Sequence, residues 1–373
     1  MKIAIVMGTR PEIIKLGPVI KYLEEKKLDY FMIHTGQHYS YELDKIFFEQ
    51  LRLPPPKYNL NIKSLAPHMQ GTHTGMILIE MEKIFLEEKP GVVLVHGDTN
   101  SALSGALLAS KISTTKEYTG YHMNIGHIEA GLRSYDRRMP EEINRIICDH
   151  LSDYLFCPTE RAKQNAMKEG ISEKKLFVVG NTVVDAVKQN LKLSEAKGDV
   201  LAQIGLERGK YILATVHRQE NVDSRERFRK ILDGLTQINN EFGLPVVYPL
   251  HPRTKSRIEL FGFGMPAEIR FIPPQGFFEF LQLEANAKLA ITDSGGVQEE
   301  SCILNVPCVT VRDTTERPET LEMGCNVVAG TDPKKILECA KNMINVKRGW
   351  NNPFGDGKSG EKIINLILEQ AQL

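Results

Sequence analysis

Three carboxylates stand at places in the sequence where an enzyme could carry out proton transfer. Asp98 follows the apolar run in "VVLVHGDTNS", Glu129 ends the run in "NIGHIEAG", and Glu141 follows a proline in "RRMPEEINR". Crowding drives the proton affinities of neighbouring carboxyl groups apart, so that one can act as a base and another as an acid. The three residues therefore predict a site for general acid–base chemistry.

Each of these residues also has a structural interpretation. Asp98 could simply cap the following helix, and Glu141 and Arg145 have the i,i+4 spacing of a helical ion pair. Three carboxylates arriving from separate elements at one sheet edge favour the catalytic interpretation. The sequence does not assign acid and base among them.

Two cations begin the first helical pattern, in "GTRPEIIK". Arg10 and Lys15 lie near a helix N-terminus, where positive charge opposes the helix dipole, so helix stability does not explain them. A bound anion would explain them, because helix N-termini bind phosphate groups. The alternative is an ordinary turn with solvated charges.

The second half of the chain places histidine and arginine together after two apolar runs. "TVHRQENVDS" contains His217 and Arg218, and "YPLHPRT" contains His251 and Arg253. A lone histidine is more often packed or exposed than catalytic, but the repetition at two predicted strand ends favours a ligand-binding interpretation.

The stretch "ITDSGGVQEES" predicts a nucleotide-binding helix start. If Ser294 is the N-cap, Gly295 and Gly296 are the first helical positions, which are poor for helix stability but let a diphosphate approach the backbone N–H groups. We expect Glu300 to accept hydrogen bonds from ribose hydroxyls and Glu299 to form a salt bridge.

Further along, "VRDTTERPE" places Arg312 and Arg317 after the next apolar run. We interpret this stretch as a second rim of the same nucleotide pocket.

Metal and redox cofactors are not expected. His122, His127 and Glu129 are possible metal ligands, but strand alternation places only the last two on one face, without a convergent third ligand. No GxGxxG follows the first apolar run and no GxxxxGK[ST] occurs. The sequence therefore offers no basis for dinucleotide redox chemistry or P-loop hydrolysis.

A fold must bring these residues together in space. The chain alternates short β-branched runs with helical patterns, which is typical of parallel sheets covered by helices on both faces. The predicted strands are "KIAIVM", "YFMIHT", "GVVLVHG", "NIGHIE" and "DYLFCP" in a first set, then "FVVG", "YILATVH", "LPVVYPL", "IRFIP", "KLAITD" and "VPCVTV" in a second. Ligands bind beyond the carboxyl ends of such strands. We therefore predict an α/β fold with two parallel sheets.

The length of 373 residues favours two domains. We place the boundary near residue 170, in "KEGISEKKLFVVGN", which gives a first domain over 1–170 and a second over 171–357. A helix with a wide apolar face follows over 358–373. Its periodicity leaves open whether it caps its own domain or crosses to the first.

The amino-acid composition limits the kinds of binding partner that we expect. Lys+Arg and Asp+Glu balance at 47 each, so a nucleic-acid partner is not expected. The six cysteines show no CxxC pairs, which is typical of reduced cytoplasmic thiols. The start is too short in apolar residues for a signal peptide, and no stretch approaches the roughly 18 apolar residues of a membrane span, so we expect a cytoplasmic protein without membrane contact.

Eight motifs, in order, resemble those of the non-hydrolysing UDP-N-acetylglucosamine 2-epimerases, from residue 3 to about residue 330. They are "GTRPEIIKLGPV", "TGQH", "VHGDTNS", "HIEAGLRS", "MPEEINR", "TVHRQEN", "DSGGVQEES" and "RDTTERPET". The resemblance implies two Rossmann-like domains facing across a cleft, the GT-B arrangement, with a C-terminal helix returning to the first domain. It also implies catalysis without metal or nicotinamide.

The resemblance implies roles for individual residues. UDP would be held by Arg10, His217, Ser294, Gly295, Gly296 and Glu300, with Arg312 or Arg317 nearby. Asp98, Glu129 and Glu141 would carry out the sugar chemistry, with Lys15 and His217 near the diphosphate. The substrates would be UDP-N-acetylglucosamine and UDP-N-acetylmannosamine, interconverted by elimination of UDP to 2-acetamidoglucal and re-addition.

The resemblance also implies regulation and assembly. Bacterial members are activated by a second substrate molecule near "TGQH"; Gln37, His38 and Gln70 are present here, but "YSYELD" lacks the usual glutamine. Members form homodimers through the first domain.

Three other functions remain open at this stage. A hydrolysing epimerase would release free N-acetylmannosamine and UDP, a GT-B glycosyltransferase would need an acceptor site, and a non-catalytic sugar-nucleotide sensor would not need the three carboxylates.

Overall fold

The computed structural model describes residues 1–36, 41–62, 66, 68–115, 117, 120–196 and 198–370. The chain divides into two compact units, of which the first comprises Met1–Ala186 with Phe354–Leu373 and the second Val187–Pro353. Each unit contains one parallel sheet, so the predicted α/β fold with two parallel sheets is confirmed.

The first unit is built on a seven-stranded parallel sheet with the order β3-β2-β1-β4-β5-β6-β7. Its strands are β1 (Ile3–Met7), β2 (Tyr30–His34), β3 (Tyr58–Asn59), β4 (Val92–His96), β5 (Asn124–Ile128), β6 (Tyr154–Cys157) and β7 (Leu176–Val178). All residues of β1 and β4 are buried. Central strands covered by helices on both faces must be apolar along their whole length, which explains their unbroken hydrophobic runs.

Helices connect and cover these strands. They are α1 (Arg10–Glu25), α2 (Tyr41–Gln50), α3 (Gln70–Glu88), α4 (Asn100–Ser113), α5 (Pro140–Leu151), α6 (Glu160–Lys168) and the start of α7 (Thr182–Glu195), with a 3-10 turn at Glu173–Lys175. Proline occupies the start of α1 and α5, where its missing N–H costs nothing.

The second unit has a six-stranded parallel sheet with the order β10-β9-β8-β11-β12-β13. Its strands are β8 (Ile212–Thr215), β9 (Val246–Pro249), β10 (Ile269–Ile272), β11 (Leu289–Thr292), β12 (Cys308–Thr310) and β13 (Asn326–Val328). Its helices are α8 (Val200–Ile204), α9 (Gln219–Val222), α10 (Arg225–Phe242), α11 (Pro252–Leu260), α12 (Phe277–Ala285), α13 (Gly295–Ile303), α14 (Pro318–Glu322) and α15 (Pro333–Met343).

The prediction that "FVVG" opens the second sheet is wrong. Leu176–Val178 forms β7, which pairs in parallel with β6 at the edge of the first sheet. The chain leaves the first unit later, within α7, between Ala186 and Val187. The lysine-rich stretch before β7 is therefore a connection within the first unit and not a linker between units.

The C-terminal helix α16 (Ser359–Gln370) belongs to the first unit and packs on α1. Tyr22 on α1 donates a hydrogen bond to Asn365 at 3.0 Å. A side chain at Gly360 would place its Cβ 3.0 Å from the backbone of Pro18, so only glycine allows the two helices to approach this closely. The predicted return of the C-terminal helix to the first domain is confirmed.

Three expectations about the whole chain can be compared with the described residues. All six cysteines are free thiols, and five of them are buried. No helix in the described part of the chain is both long and apolar enough to cross a membrane. Among the same residues, no group of three or more His, Cys, Asp or Glu side chains is arranged to hold a metal ion.

Candidate active site

Glu129 is a buried carboxylate of the first unit that pairs with a lysine. It follows β5, is 8% exposed, and its Oε1 accepts hydrogen bonds from Lys15 Nζ at 2.6 Å and Asn181 Nδ2 at 2.9 Å. The Nε2 atom of His96 lies 3.6 Å from Oε2. Burial lowers the pKa of His96 to about 4, so this imidazole is neutral at physiological pH. Lys15 is thus the charged partner of Glu129.

The backbone at Glu129 is strained. Its φ is +66°, in the left-handed region that residues with a side chain rarely adopt. Gly131 follows with φ +77°, and a Cβ there would lie 2.1 Å from the carbonyl oxygen of Ala162. Strain of this kind persists only where the surrounding structure holds it, and it clusters at functional sites.

Asp98 lies in the turn two residues beyond β4 and forms an ion pair with Arg145. Arg145 Nη2 lies 2.6 Å from Asp98 Oδ2, and Nη1 lies 2.7 Å from Glu142 on its own helix. The alternative Glu141–Arg145 pair is not formed; Glu142 takes that role and is 1% exposed. Glu141 is exposed on the first turn of α5. Asn144 also donates to the Asp98 carbonyl at 2.8 Å.

His127 holds the turn before Asp98 through both of its ring nitrogens. Its Nε2 contacts the carbonyl oxygen of Gly97 at 2.8 Å, and its Nδ1 lies 2.6 Å from Asp149. Burial acts to raise the pKa of Asp149, but His127 and Arg133 hold it below its usual value. These contacts form a hydrogen-bond chain that connects β4, β5 and α5.

Glu12 joins the two helix starts that flank this region. Its carboxyl accepts hydrogen bonds from the Gly8 N–H and the Thr9 hydroxyl, each at 2.9 Å, and from the Thr99 hydroxyl at 2.7 Å. Thr99 in turn caps α4 by accepting from Ala102 N–H. The turn after β1 is thereby fixed to the turn after β4.

Arg10 stands at the first position of α1, with its guanidinium 5.0 Å from the ring centre of Phe47. This cation–π contact orients Arg10 on the edge of the first unit. The structure thus places both predicted cations, Arg10 and Lys15, on the first two turns of α1.

The predicted regulatory residues are only partly described. Gln37 and His38 lie outside the described residues. Gln70 is the first residue of α3, and its Oε1 accepts from Asn100 Nδ2 at 2.7 Å. Asn100 is also bonded to Asn144, so Gln70 is connected to the polar network around the end of β4.

In the second unit, α13 begins as the sequence predicts. Ser294 is the N-cap, Gly295 and Gly296 follow, and the serine side chain makes no capping bond. The first N–H groups of a helix have no intrahelical acceptor. A Cβ at Gly295 or Gly296 would approach the described protein atoms no closer than 3.7 Å, so packing does not demand glycine. The bare backbone instead leaves room for a ligand.

Beside this helix start, Asp293 organises the loop after β8. It is fully buried, and its carboxylate accepts from the backbone N–H groups of His217 and Arg218 at 3.0 to 3.1 Å and from Asn221 at 3.0 Å. The side chain of His217 is 54% exposed. Asp293 therefore presents His217 next to the α13 N-terminus.

Arg312 and Arg317, which the sequence predicts on the rim of the nucleotide pocket, both form ion pairs in the second unit. Arg312 makes a bidentate ion pair with Glu316 at 2.7 and 2.9 Å and a third bond to Glu220 at 3.0 Å. Burial acts to raise the pKa of Glu316, but Arg312 lowers it to about 2. Arg317 Nε lies 2.6 Å from Glu299, which is the salt bridge predicted for that glutamate.

His251 caps α11 and is exposed. Its Nδ1 accepts from the Arg253 N–H at 3.3 Å, while the Arg253 side chain pairs with Asp223 at 2.7 Å. The structure thus gives His251 a local capping role.

Comparison with known proteins gives these features a context. The sequence model of UDP-N-acetylglucosamine 2-epimerase matches residues 21–368. The UDP-N-acetylglucosamine 2-epimerases of Methanocaldococcus jannaschii and Methanococcus maripaludis are each 52% identical to the chain and cover 98% of it, over 99% and 98% of their own lengths. The chain belongs to the UDP-N-acetylglucosamine 2-epimerase family.

A solved structure extends this family relationship to three dimensions. The crystal structure of the M. jannaschii UDP-GlcNAc 2-epimerase in complex with UDP-GlcNAc and UDP has a TM-score of 0.85 and 52% identity, covering 99% of this chain and all of that one. The family resemblance inferred from the eight motifs is confirmed.

Several residues that shape the site in this epimerase-family chain were not predicted. They are Glu12, Arg145, Asn181, Asp293 and the Asp149–His127 pair. Asn181 lies three residues beyond β7, so its position after a strand was a usable signal, but β7 had been assigned to the other sheet. The others each have at least one partner far away in sequence, such as Thr99 for Glu12 and Asp98 for Arg145.

Proposed function

We propose that this protein reversibly epimerises UDP-N-acetylglucosamine to UDP-N-acetylmannosamine at C2 without releasing free sugar. The observation that carries the proposal is Glu129: a buried carboxylate at a strained backbone position, bonded to Lys15 at 2.6 Å in a chain of the epimerase family. A carboxylate with a fixed cation beside it is suited to proton transfer away from water.

The chemistry accounts for the types of residue involved. The C2 proton of the sugar has no adjacent carbonyl to acidify it, so direct removal is too costly. Loss of UDP from C1 through an oxocarbenium-like state makes the C2 proton acidic, and its removal gives 2-acetamidoglucal. UDP then returns to C1 while C2 receives a proton on the opposite face, so both covalent bonds that were broken are restored.

We assign the sugar chemistry to Asp98, Glu129 and Glu141. Inversion at C2 requires removal and delivery of a proton on opposite faces, which needs at least two acid–base groups. Asp98 and Glu129 end neighbouring strands, and each contacts a cation, Arg145 and Lys15 respectively. Lys15 and Arg10 would also stabilise negative charge on the departing diphosphate.

We assign UDP binding to the α13 N-terminus and the groups around it. Gly295 and Gly296 would let the diphosphate approach the helix N–H groups, with His217 beside it, and Glu300 would accept hydrogen bonds from the ribose. The support is the uncapped, glycine-lined start of α13. Arg312 and Arg317 would contribute by fixing Glu316 and Glu299.

In the deciding experiment, the protein is incubated with UDP-N-acetylglucosamine in D2O and the sugar nucleotides are followed by proton NMR. We expect UDP-N-acetylmannosamine to form with deuterium at C2, and deuterium to enter recovered UDP-N-acetylglucosamine as well. Accumulation of free N-acetylmannosamine and UDP would instead assign the chain to a hydrolysing epimerase. UDP binding without turnover would assign it to a sensor.

The carboxylate assignment is tested with Asp98→Asn and Glu129→Gln. Each should lower turnover at least about 100-fold, the loss typical of a missing acid–base group, while the Kd for UDP changes little. Glu173→Gln, on an exposed turn of the same unit, is the matched control and should retain full activity. Near-normal rates in both site variants would reject the assignment.

We further propose that the protein is a homodimer, as the family resemblance implies. Light scattering coupled to size-exclusion chromatography should give about twice the chain mass of 42.1 kDa. A monomeric mass with full turnover would reject the dimer without affecting the proposed reaction.

A further inference from the structure

A buried carboxyl stands behind Glu300 in the second unit. Glu284 lies near the end of α12 and is 0% exposed. The adjacent Leu283 belongs to an apolar cluster with Tyr211 and Cys308. An ionised carboxylate in such surroundings carries a large desolvation cost. This position therefore needs a specific reason to hold glutamate.

The hydrogen-bond partners of Glu284 define its role. Ser301 Oγ donates to Oε1 at 2.8 Å, and the Glu300 side chain is a second hydrogen-bonding neighbour. Among the described residues, Oε2 meets no nitrogen or hydroxyl donor. The Tyr211 hydroxyl, which faces this region, donates to the Leu283 carbonyl instead.

Two ionised carboxylates cannot hydrogen-bond, because both are acceptors only. A bond between Glu284 and Glu300 therefore contains a proton. Burial, together with the negative charge of Glu300, raises the pKa of Glu284 well above its ordinary value. Glu284 is the buried partner and Glu300 the half-buried one, so the proton resides on Glu284 and the charge on Glu300.

We propose that Glu284 is a positioning residue for nucleotide recognition: its protonated carboxyl donates to Glu300 and fixes the Glu300 carboxylate in the orientation that accepts the ribose hydroxyls. This inference rests on the proposed function, in which Glu300 receives the ribose of UDP. Glutamate has three rotatable side-chain bonds, and fixing them before the ligand arrives reduces the entropy lost on binding.

The test compares two ligands, UDP and 2′,3′-dideoxy-UDP, by isothermal titration calorimetry. Glu284→Met removes the donor and replaces a buried polar group with an apolar one of similar length. It also leaves the buried Ser301 hydroxyl without its acceptor, so its melting temperature should fall modestly. We expect UDP to bind about tenfold more weakly to Glu284→Met, while the affinity for 2′,3′-dideoxy-UDP stays unchanged. A purely structural role would weaken both ligands equally.

Glu284→Gln is the conservative partner. Its amide N–H can donate to Glu300 and its carbonyl can accept from Ser301, so UDP affinity should return to within about twofold of the unaltered protein. A folded Glu284→Gln variant that loses its preference for UDP over the dideoxy ligand would overturn the inference, even if Glu284→Met proved unstable.

Glu300→Gln separates this inference from the proposed function. If the unaltered protein does not prefer UDP over 2′,3′-dideoxy-UDP, or if Glu300→Gln keeps that preference, the ribose role of Glu300 is wrong. If Glu300→Gln abolishes the preference but Glu284→Met retains it, only the positioning role of Glu284 is rejected.

Discussion

Glu12 illustrates how one buried side chain serves two loops. Its carboxyl accepts hydrogen bonds from three donors in the turns after β1 and β4. The Glu12 residue is only 2% exposed. Burial raises the pKa of Glu12 to about 7, and the hydrogen bonds from Thr99, Gly8 and Thr9 act in the opposite direction. The carboxyl therefore changes charge within the physiological range, while its unfolded counterpart ionises near pH 4.5.

This difference predicts a pH-dependent stability. A carboxyl whose pKa is raised on folding contributes stability below its unfolded pKa and loses it as pH rises to the folded value. Between pH 4.5 and 7, the free energy of unfolding around α1 should fall by about 3 kcal/mol more in the unaltered protein than in Glu12→Gln. This figure follows because one pKa unit corresponds to about 1.4 kcal/mol.

Hydrogen exchange of the α1 amides across this pH range measures the effect, corrected for intrinsic exchange rates. The exposed Glu25→Gln, on the same helix, should show no such trend. A stability difference between Glu12→Gln and the unaltered protein that is constant with pH would mean that Glu12 stays ionised throughout.

At the residue scale, the sequence predicts the groups that stand directly after apolar runs. Asp98, Glu129 and Ser294 are found where the strand ends place them. Asp293 escaped attention although it lies next to Ser294, because its role depends on the N–H groups of His217 and Arg218, some 75 residues earlier. Local patterns reveal a polar residue but not the distant backbone that it satisfies.

At the scale of elements, α13 begins with two glycines that neither helix stability nor packing explains, whereas ligand binding does. Two glycines weaken its first turn by roughly 1 kcal/mol each relative to alanine. Neither has a positive φ, and neither is needed to avoid a clash with the described protein atoms. Stability and packing would both allow alanine.

Gly296→Ala should therefore separate stability from binding. The variant should gain about 0.5 to 1 kcal/mol of stability from helix propensity. Its affinity for UDP should fall at least about tenfold, because the methyl group occupies the approach to the helix N–H groups. Thermal melting and calorimetry with UDP measure the two effects.

Gly75→Ala in α3 is the matched control for this experiment: a Cβ there meets nothing within 4 Å, and one at Gly296 would come no closer than 3.8 Å, to Ser294 Oγ. It should gain similar stability without changing UDP affinity. If Gly296→Ala bound UDP as tightly as the unaltered protein, the diphosphate could not be bound at this helix start.

Element prediction succeeds where hydrophobic runs are long and fails where strands are short. β1, β4 and β11 follow from unbroken apolar runs. β3 and β13 span only two and three residues, and neither was predicted. β7 was recognised as a strand but assigned to the wrong sheet, because three residues carry no information about which neighbour they pair with.

At the scale of the whole molecule, the first unit is built from two segments that are far apart in the sequence. Residues 354–373 return after the entire second unit, and α16 packs on α1. The apolar periodicity of α16 predicted a buried helix but could not identify its partner. That partner was implied by family resemblance alone.

Gly360→Val should measure how much the packing of α16 on α1 contributes to the stability of the first unit. The new Cβ would lie 3.0 to 3.1 Å from backbone atoms of Pro18 and Val19, which cannot move cheaply. We expect about 2 kcal/mol of destabilisation, as for overpacked sites. Hydrogen exchange should accelerate in α1 and α16 and stay unchanged in the second unit.

The neighbouring Glu361→Val makes the same kind of substitution at an exposed position and should have little effect. Equal acceleration of exchange in both units after Gly360→Val would show that the units do not unfold separately.

The return of α16 also bears on how the protein is made. The ribosome releases the first strands of unit one early, then synthesises all of Val187–Pro353 before α16 exists. Domains commonly fold as they emerge. Here all residues of the second unit are synthesised before the last residues of the first. The face of α1 that α16 covers in the folded protein therefore has no partner while nearly half of the chain is made. The unit that begins first is thus the last to be finished.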